Sequence, residues 1–177
     1  MPSPVGHALG GLAVGLLGSE WPGGSARARA RAPWLGRPAG RAALFAVLAC
    51  SPDLDLLVGA HSMYTHSVGA ALVVTAILFA WLRDPRIALA GGAAYASHVL
   101  FDWMGQDTSP PLGVMALWPL SMEHYMAPVP VFGPVSRRYW LPGFWMHNFK
   151  VVLSELALFG AAASFVWWHR VARRGRA

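Results

Sequence analysis

A histidine and an aspartate one helical turn apart, His98 and Asp102, interrupt an otherwise apolar segment of the chain. On a helix, residues four apart project from the same face, so both side chains would point toward one place. A carboxylate in the centre of a membrane helix costs roughly 2.5–3.5 kcal/mol on insertion scales, so a compensating partner is expected. A shared metal ion would be such a partner. A His–Asp hydrogen bond that only rigidifies the fold is the alternative.

Two further carboxylates, Asp53 and Asp55, follow Pro52. Ser51 before this proline is typical of a helix N-cap, which would make Asp53 a favourable residue of the first turn. That interpretation leaves Asp55 unexplained. Side chains two apart diverge on an α-helix, so both serve one site only where the backbone is irregular. Their mutual repulsion favours a bound cation.

Three histidines are expected near these acidic residues. His61 and His66 flank a short turn directly after the aspartates, and His7 lies near the N-terminus. Imidazole and carboxylate donors without a thiolate suit zinc or another divalent first-row ion. The sequence therefore predicts a divalent metal centre, with zinc as the expected ion and one or two ions bound. The predicted metal ligands are His7, Asp53, Asp55, His61, His66, His98 and Asp102.

Hydropathy predicts the elements that must position these residues. Apolar residues make up 55 % of the 177 residues and charged residues 12 %, which excludes a disordered chain and an ordinary soluble enzyme with a charged surface. We expect an all-α fold, a polytopic membrane bundle of about five helices, in one domain spanning residues 1–177. The last apolar stretch is the best membrane span, and the first is short for one. The five stretches are Val5–Gly18, Arg41–Ala60, His66–Leu82, Ile87–Met104 and Phe149–Trp168.

The basic residues predict the orientation of these stretches. Eleven of the fourteen lysines and arginines lie in the three segments that share one side if all five stretches cross. By the positive-inside rule this side is cytoplasmic, so the C-terminus is cytoplasmic and the metal centre lies on the extracytoplasmic side. Basic residues that flank spans do not form the single basic and aromatic patch of a nucleic-acid site. The net charge of +6 therefore indicates membrane lipid, and not nucleic acid, as the partner.

Two connections between the stretches differ in composition. Residues 19–40 include a low-complexity run of alternating Ala and Arg among glycines and prolines, which indicates a flexible cytoplasmic linker. Residues 105–148 contain seven of the fourteen prolines, which predicts a long irregular outer loop. Glu123, His124 and His147 lie in this loop with no role that the sequence assigns. The single cysteine, Cys50, excludes an intramolecular disulfide.

The order of the motifs resembles that of the predicted membrane-bound metal-dependent hydrolases of bacteria and archaea, the YdjM-like group. An N-terminal His is followed by Pro-Asp-Leu-Asp, His-x-x-x-Thr-His-Ser, Ser-His-x-x-x-Asp and Leu-Trp-Pro-Leu-Ser. This resemblance runs from the N-terminus to about Ser121 and implies a polytopic protein of the cytoplasmic membrane with a hydrolytic metal centre. The matching residues are His7, Asp53, Asp55, His61, Thr65, His66, Ser67, His98, Asp102, Trp118 and Pro119.

The arrangement is also distantly similar to zinc-dependent phospholipase C, a helical enzyme that uses Asp, His and a His-x-x-x-Asp pair at a metal cluster. The second pair of that family, His-x-x-x-Glu, has no counterpart in this chain. The resemblance therefore implies one or two ions here in place of a three-zinc cluster.

The expected function is hydrolysis of a phosphoester or similar bond at the membrane interface by metal-activated water. His66, His98, Asp102 and one of the two aspartates after Pro52 would hold the ion. Asp55 is the expected catalytic residue, which would orient or deprotonate the water. A lipid headgroup is the expected substrate because the site lies at the interface. The alternative is a non-enzymatic membrane protein, a metal carrier or an adaptor whose metal braces the bundle.

Overall fold

A computed structural model describes residues 1–19, 24–59, 61–108 and 110–173 of the chain, and within these ranges the regular structure is entirely helical. Short 3-10 helices occupy Pro33–Gly36 and Ser51–Val58, and π-helical turns occupy Leu156–Gly160 and Trp168–Ala172. The α-helices are α1 (Pro4–Gly18), α2 (Ala26–Arg31), α3 (Pro38–Cys50), α4 (Val68–Leu82), α5 (Pro85–Met104), α6 (Phe144–Glu155) and α7 (Ala161–Trp167). The predicted all-α class is confirmed.

The helix after α3 differs from the sequence-based expectation. Ser51 is not an N-cap, because its backbone is helical (φ −66°, ψ −27°) and its hydroxyl donates to the carbonyl of Leu48 at 2.7 Å. The chain therefore continues from α3 into the tighter 3-10 winding of Ser51–Val58 without leaving the helical region. Asp53 and Asp55 lie on this 3-10 helix and not in the first turn of a new α-helix.

One continuous helix among the described residues, Phe144–Ala172, is long and apolar enough to cross a membrane. We call this 29-residue segment the C-terminal helix. The apolar helices α1 and α4 have 15 residues each, or about 22 Å at 1.5 Å per residue, which is shorter than a hydrocarbon core of about 30 Å. The choice of the last stretch as the best span agrees with this result. The polytopic five-helix bundle stays a prediction.

Helix α1 packs against α3, α5 and the C-terminal helix. Its glycines allow this close approach, since a Cβ on Gly11 would lie 2.1 Å from the Cβ of Ala49 in α3. A Cβ on Gly15 would lie 2.2 Å from the Cγ of Phe45. Neither position accepts a larger residue without separating the helices. The same contacts bring His7, near the start of α1, to the end of α5.

The predicted flexible linker over residues 19–40 is wrong for its described part. Residues 26–31 form α2, and Ala28 and Leu35 are fully buried in a cluster with residues of α4 and α5. Alternating Ala and Arg places Ala28 and Ala32 four residues apart, on one helical face that can pack. The hydroxyl of Ser25 caps α2 by accepting from the Ala28 amide. Residues 20–23 lie outside the described part of the chain.

The predicted outer loop is irregular at its described residues, 105–108 and 110–143. Helix α6 begins at Phe144, which is earlier than the Phe149 of the predicted stretch. Two isolated β-bridges join Gly105 to Phe132 and Val114 to Tyr125. The amides of Val68 and Gly69 at the start of α4 donate to the carbonyls of Ala116 and Trp118 in the loop. The loop therefore packs against the end of the bundle where α4 begins and α5 ends.

Glu155 in the C-terminal helix is a buried carboxylate with a structural partner. It is 2 % exposed and accepts hydrogen bonds from the amide of Ser3, at 2.8 Å, and from the Ser3 hydroxyl. Ser3 is the N-cap of α1, where a negative charge interacts favourably with the helix dipole. Glu155 therefore fixes the C-terminal helix to the beginning of α1.

Candidate metal centre

Three chain segments bring four side chains together at one end of the bundle. Asp53 comes from the 3-10 helix after α3, His66 from the turn before α4, and His98 and Asp102 from the last turns of α5. Donor atoms of these four side chains all lie within 4.8 Å of one another. The His66 and His98 side chains are fully buried and Asp102 is 1 % exposed, whereas Asp53 is 23 % exposed. The cluster is therefore enclosed on every side except that of Asp53.

The distances in this cluster are those of groups that face a common centre. The Nε2 atom of His98 lies 3.1 Å from Asp102 Oδ2, and His66 Nε2 lies 3.5 Å from the same oxygen. Both Nε2 atoms lie 3.6 Å from Asp53 Oδ1. These four atoms are the donors that we call the primary group.

Three atoms of the primary group have no hydrogen-bond partner among the described residues. They are buried and comprise His66 Nε2, His98 Nε2 and Asp102 Oδ2. Leaving a buried polar atom unpaired is costly, and most such atoms in proteins have partners. A divalent cation would pair with all of them at once, and two imidazoles with two carboxylates suit such an ion. The residues present therefore fit a metal ion.

Neighbouring groups orient the donors of α5. The Nδ1 atom of His98 donates to the carbonyl of Ala49 at 2.6 Å, which leaves the lone pair on Nε2 directed toward the primary group. His7 Nε2 lies 3.1 Å from Asp102 Oδ1, the oxygen that the primary group does not use. The His7 ring also stacks on His98, with centroids 3.7 Å apart. His7 therefore supports two predicted ligands and lies outside the primary group.

Asp55 lies on the other side of His66. Its Oδ2 atom is 3.1 Å from His66 Nδ1 and accepts from the Thr65 hydroxyl at 2.8 Å. Its Oδ1 atom is 3.0 Å from His61 Nδ1, so Asp55, His61 and His66 form a second group of close donors. A neutral imidazole has one unprotonated nitrogen. If His66 binds an ion through Nε2, its Nδ1 keeps its proton and donates it to Asp55, so the arrangement fits one ion.

His61 connects the second group to the outer loop. Arg137 Nη2 lies 2.8 Å from His61 Nε2, and because a guanidinium only donates, this nitrogen accepts. The Nδ1 atom of His61 then has the proton that it donates to Asp55. In this state both ring nitrogens of His61 are occupied by protein partners. The structure thus places His61 as a neighbour of the primary group and not within it.

Protonation in the second group follows from these contacts. Burial raises the pKa of Asp55, but hydrogen bonds from His66 and His61 outweigh it and lower the pKa to about 2. Burial lowers the pKa of His66, but the nearby carboxylates of Asp53 and Asp55 outweigh this effect and raise the pKa to about 9. Without an ion, His66 therefore holds a proton at neutral pH that a metal must displace.

The remaining candidates lie away from both groups. His147 Nε2 donates to the carbonyl of Pro134 at 2.8 Å, and Glu123 is exposed and accepts from the Tyr125 hydroxyl. His124 belongs to neither group of donors. Sequence reasoning missed Tyr95, whose hydroxyl donates to the Thr65 carbonyl at 2.7 Å and so holds the turn before His66. Its position one turn before His98 on α5 was the available signal.

Metal content tests the primary group directly. We expect His98→Ala and Asp102→Ala to lose most of the bound zinc, because each change removes one of four donors and leaves the others unpaired. His169→Ala is the matched control, since this exposed histidine on the C-terminal helix lies far along the chain from every donor. The measurement is zinc per protein by mass spectrometry after purification. Unchanged zinc in both variants would contradict the primary group.

The pH dependence of zinc affinity tests the state of His66. Below the His66 pKa of about 9 a proton competes with the ion, so we expect affinity to rise by about tenfold per pH unit from about pH 6 to about pH 8. The dependence should disappear above the pKa. Competition with a chelator of known pH-dependent affinity measures it. An affinity that does not change over this range would show that His66 binds no proton that zinc displaces.

Comparison with known proteins gives one result. The family model of the YdjM inner membrane proteins matches residues 1–174, nearly the whole chain. No curated protein and no solved structure matches. The distant similarity to zinc-dependent phospholipase C therefore stays a prediction. The donors of the primary group and the C-terminal helix both lie within the matched range, and the chain belongs to the YdjM inner membrane protein family.

Proposed function

We propose that this protein is a membrane-bound hydrolase that uses one divalent metal ion held by Asp53, His66, His98 and Asp102. The observation that supports the proposal most directly is the set of three buried donor atoms without hydrogen-bond partners that face one point. Zinc is the ion that we expect, since neutral imidazole and carboxylate ligands suit it.

The side chains around the centre would have different roles in such a hydrolase. An ion bound there would lower the pKa of a water and polarise the bond to be cleaved. Asp53 is the one ligand with a partly exposed carboxylate, so substrate and water reach the centre on its side, and it is our candidate proton acceptor. Both oxygens of Asp55 already have partners, which favours a positioning role through His66 over the catalytic role expected from the sequence.

A second function has its own support. The primary group has four protein donors, three of them almost fully buried. Structural zinc sites also use four protein ligands, whereas catalytic zinc sites use three and keep the fourth position open. The protein would then be a metal carrier or an adaptor whose ion braces the bundle. The exposed fraction of Asp53 favours the hydrolase, because a bracing ligand has no need of access to solvent.

The substrate that we propose is a phosphoester at the membrane interface, with membrane lipid as the surrounding partner. Exposed aromatic side chains of the loop and of α6, such as Trp140 and Trp145, are typical of a segment that contacts headgroups. Cleavage of a lipid headgroup and of a soluble ester that approaches the membrane both agree with this location.

Activity of the zinc-loaded protein in detergent tests the hydrolase. We expect hydrolysis of p-nitrophenyl phosphate or of its diester, loss of activity on chelation and recovery with zinc. Asp55→Asn should retain zinc and lower kcat/KM by about 10- to 100-fold, as for other residues that orient a ligand. His169→Ala should behave as the wild type. Zinc that is bound and raises Tm, without hydrolysis of either ester, would favour the bracing function.

The proposed topology is multi-pass in a bacterial or archaeal cytoplasmic membrane, with the C-terminus in the cytoplasm and the metal centre on the extracytoplasmic side. The distribution of basic residues supports this orientation. We expect a reporter fused after Ala177 to act as cytoplasmic and one inserted after Val129, in the exposed loop, to act as extracytoplasmic. The opposite pair of results would reverse the placement of the centre.

A further inference from the structure

A cavity of about 640 Å³ opens beside the metal centre. This volume falls in the range of roughly 300–1,000 Å³ that small-molecule sites occupy. His61 lines one part of it, Arg137 and Arg138 line another, and the beginning of α6 closes it at Gly143 and Phe144. None of these residues belongs to the primary group, so the cavity adjoins the metal centre without containing its donors.

His61 is the residue that the cavity and the metal centre share. Its Nδ1 atom lies 3.0 Å from Asp55 Oδ1 and 4.0 Å from Asp53 Oδ1, a donor of the primary group. Its ring centroid lies 4.9 Å from that of His66. The cavity therefore begins within one side chain of the primary group.

The charges on the cavity wall favour an anion. Arg137 and Arg138 bring two guanidinium groups, against one carboxylate from Asp107 whose Oδ2 accepts from the Gly113 amide. The N-terminus of α6 has no side-chain cap, and its positive end adds potential of the same sign. A neutral ligand would leave this excess of positive charge unpaired.

Arg137 is the residue placed to recognise that anion. One of its N–H groups is directed to His61 at 2.8 Å, which anchors the side chain next to the metal centre. A guanidinium has five N–H donors in a planar fork, so the remaining donors are available to paired oxygens of a ligand. Among anions, phosphate offers the oxygens and the charge that two guanidiniums match.

We propose that this cavity binds the phosphate group of the substrate, with Arg137 as the residue that recognises it. The inference rests on the proposed hydrolase and its phosphoester substrate, for which it names Arg137 as the residue that holds the phosphate beside the metal centre. A lipid phosphate and the phosphate of a soluble ester share this chemistry. The inference requires no change at the primary group, so it can fail while metal binding stands.

The test is binding of inorganic phosphate to the purified full-length protein in detergent, with zinc and without it, by titration calorimetry. We expect Arg137→Gln to weaken phosphate binding by about 10- to 100-fold, the effect of losing charged hydrogen bonds. Arg137→Lys keeps the positive charge but loses the planar fork of donors. Its phosphate affinity should lie between those of the wild type and Arg137→Gln. Arg27→Gln is the matched control, because Arg27 is an exposed arginine of α2 far from the cavity in sequence.

The outcomes separate this inference from the proposed function. Stoichiometric zinc in Arg137→Gln together with phosphate affinity equal to wild type would overturn the inference and leave the metal centre intact. Wild type that binds no phosphate would overturn it as well. If the wild type cannot be loaded with zinc but still shows phosphate binding that depends on Arg137, the proposed hydrolase is overturned and an anion site remains.

Competition experiments distinguish a lipid phosphate from the phosphate of a soluble ester. Phosphatidic acid in mixed micelles and soluble glycerol 3-phosphate are each tested for displacement of inorganic phosphate from the wild type. Displacement by the lipid alone identifies a lipid substrate class, and displacement by both identifies a site open to soluble esters. Displacement by neither would contradict a site for phosphate esters.

Discussion

The buried carboxylate of Asp102 is the constraint on which the rest of this structure depends. It is 1 % exposed at the end of α5, where an anion without partners would be strongly destabilising. His7 from α1 faces one of its oxygens, and His66 and His98 face the other. Because these histidines come from three segments, a single charge determines how closely the segments must approach. The glycines of α1 serve this requirement, since a side chain at Gly10 would meet the Phe101 ring at 2.3 Å, one residue before Asp102.

Much of the site could be predicted because its strongest signal is local. The spacing of His98 and Asp102 fixes a common face on any helix, and an acidic residue in an apolar stretch demands a partner. The same reasoning brought together Asp53, His66 and His7 from their positions at the ends of apolar stretches. It could not assign their roles. Which nitrogen of His66 faces which aspartate depends on the 3-10 winding after Cys50, and the sequence Ser51-Pro52 is equally compatible with a capped α-helix.

Longer-range features were less accessible to sequence reasoning. The apolar stretches predicted where most of the helices lie, because long runs of apolar residues are typical of helices that avoid water. The run of Ala and Arg before α3 was misjudged as a linker, since the small methyl groups of Ala28 and Ala32 give almost no hydropathy signal although both are buried. The contact of Arg137 with His61 joins residues far apart in sequence through an irregular loop, and no periodicity describes such a loop.

The contact between Glu155 and Ser3 links the position of the C-terminal helix to the geometry of the site. The His7 amide donates to the Ser3 carbonyl at 3.0 Å, so the residue that Glu155 holds is one turn from the imidazole that supports Asp102. A tilt or vertical shift of the C-terminal helix would therefore displace Ser3 and, through it, His7. The helix best suited to cross a membrane is thus mechanically connected to the buried acid.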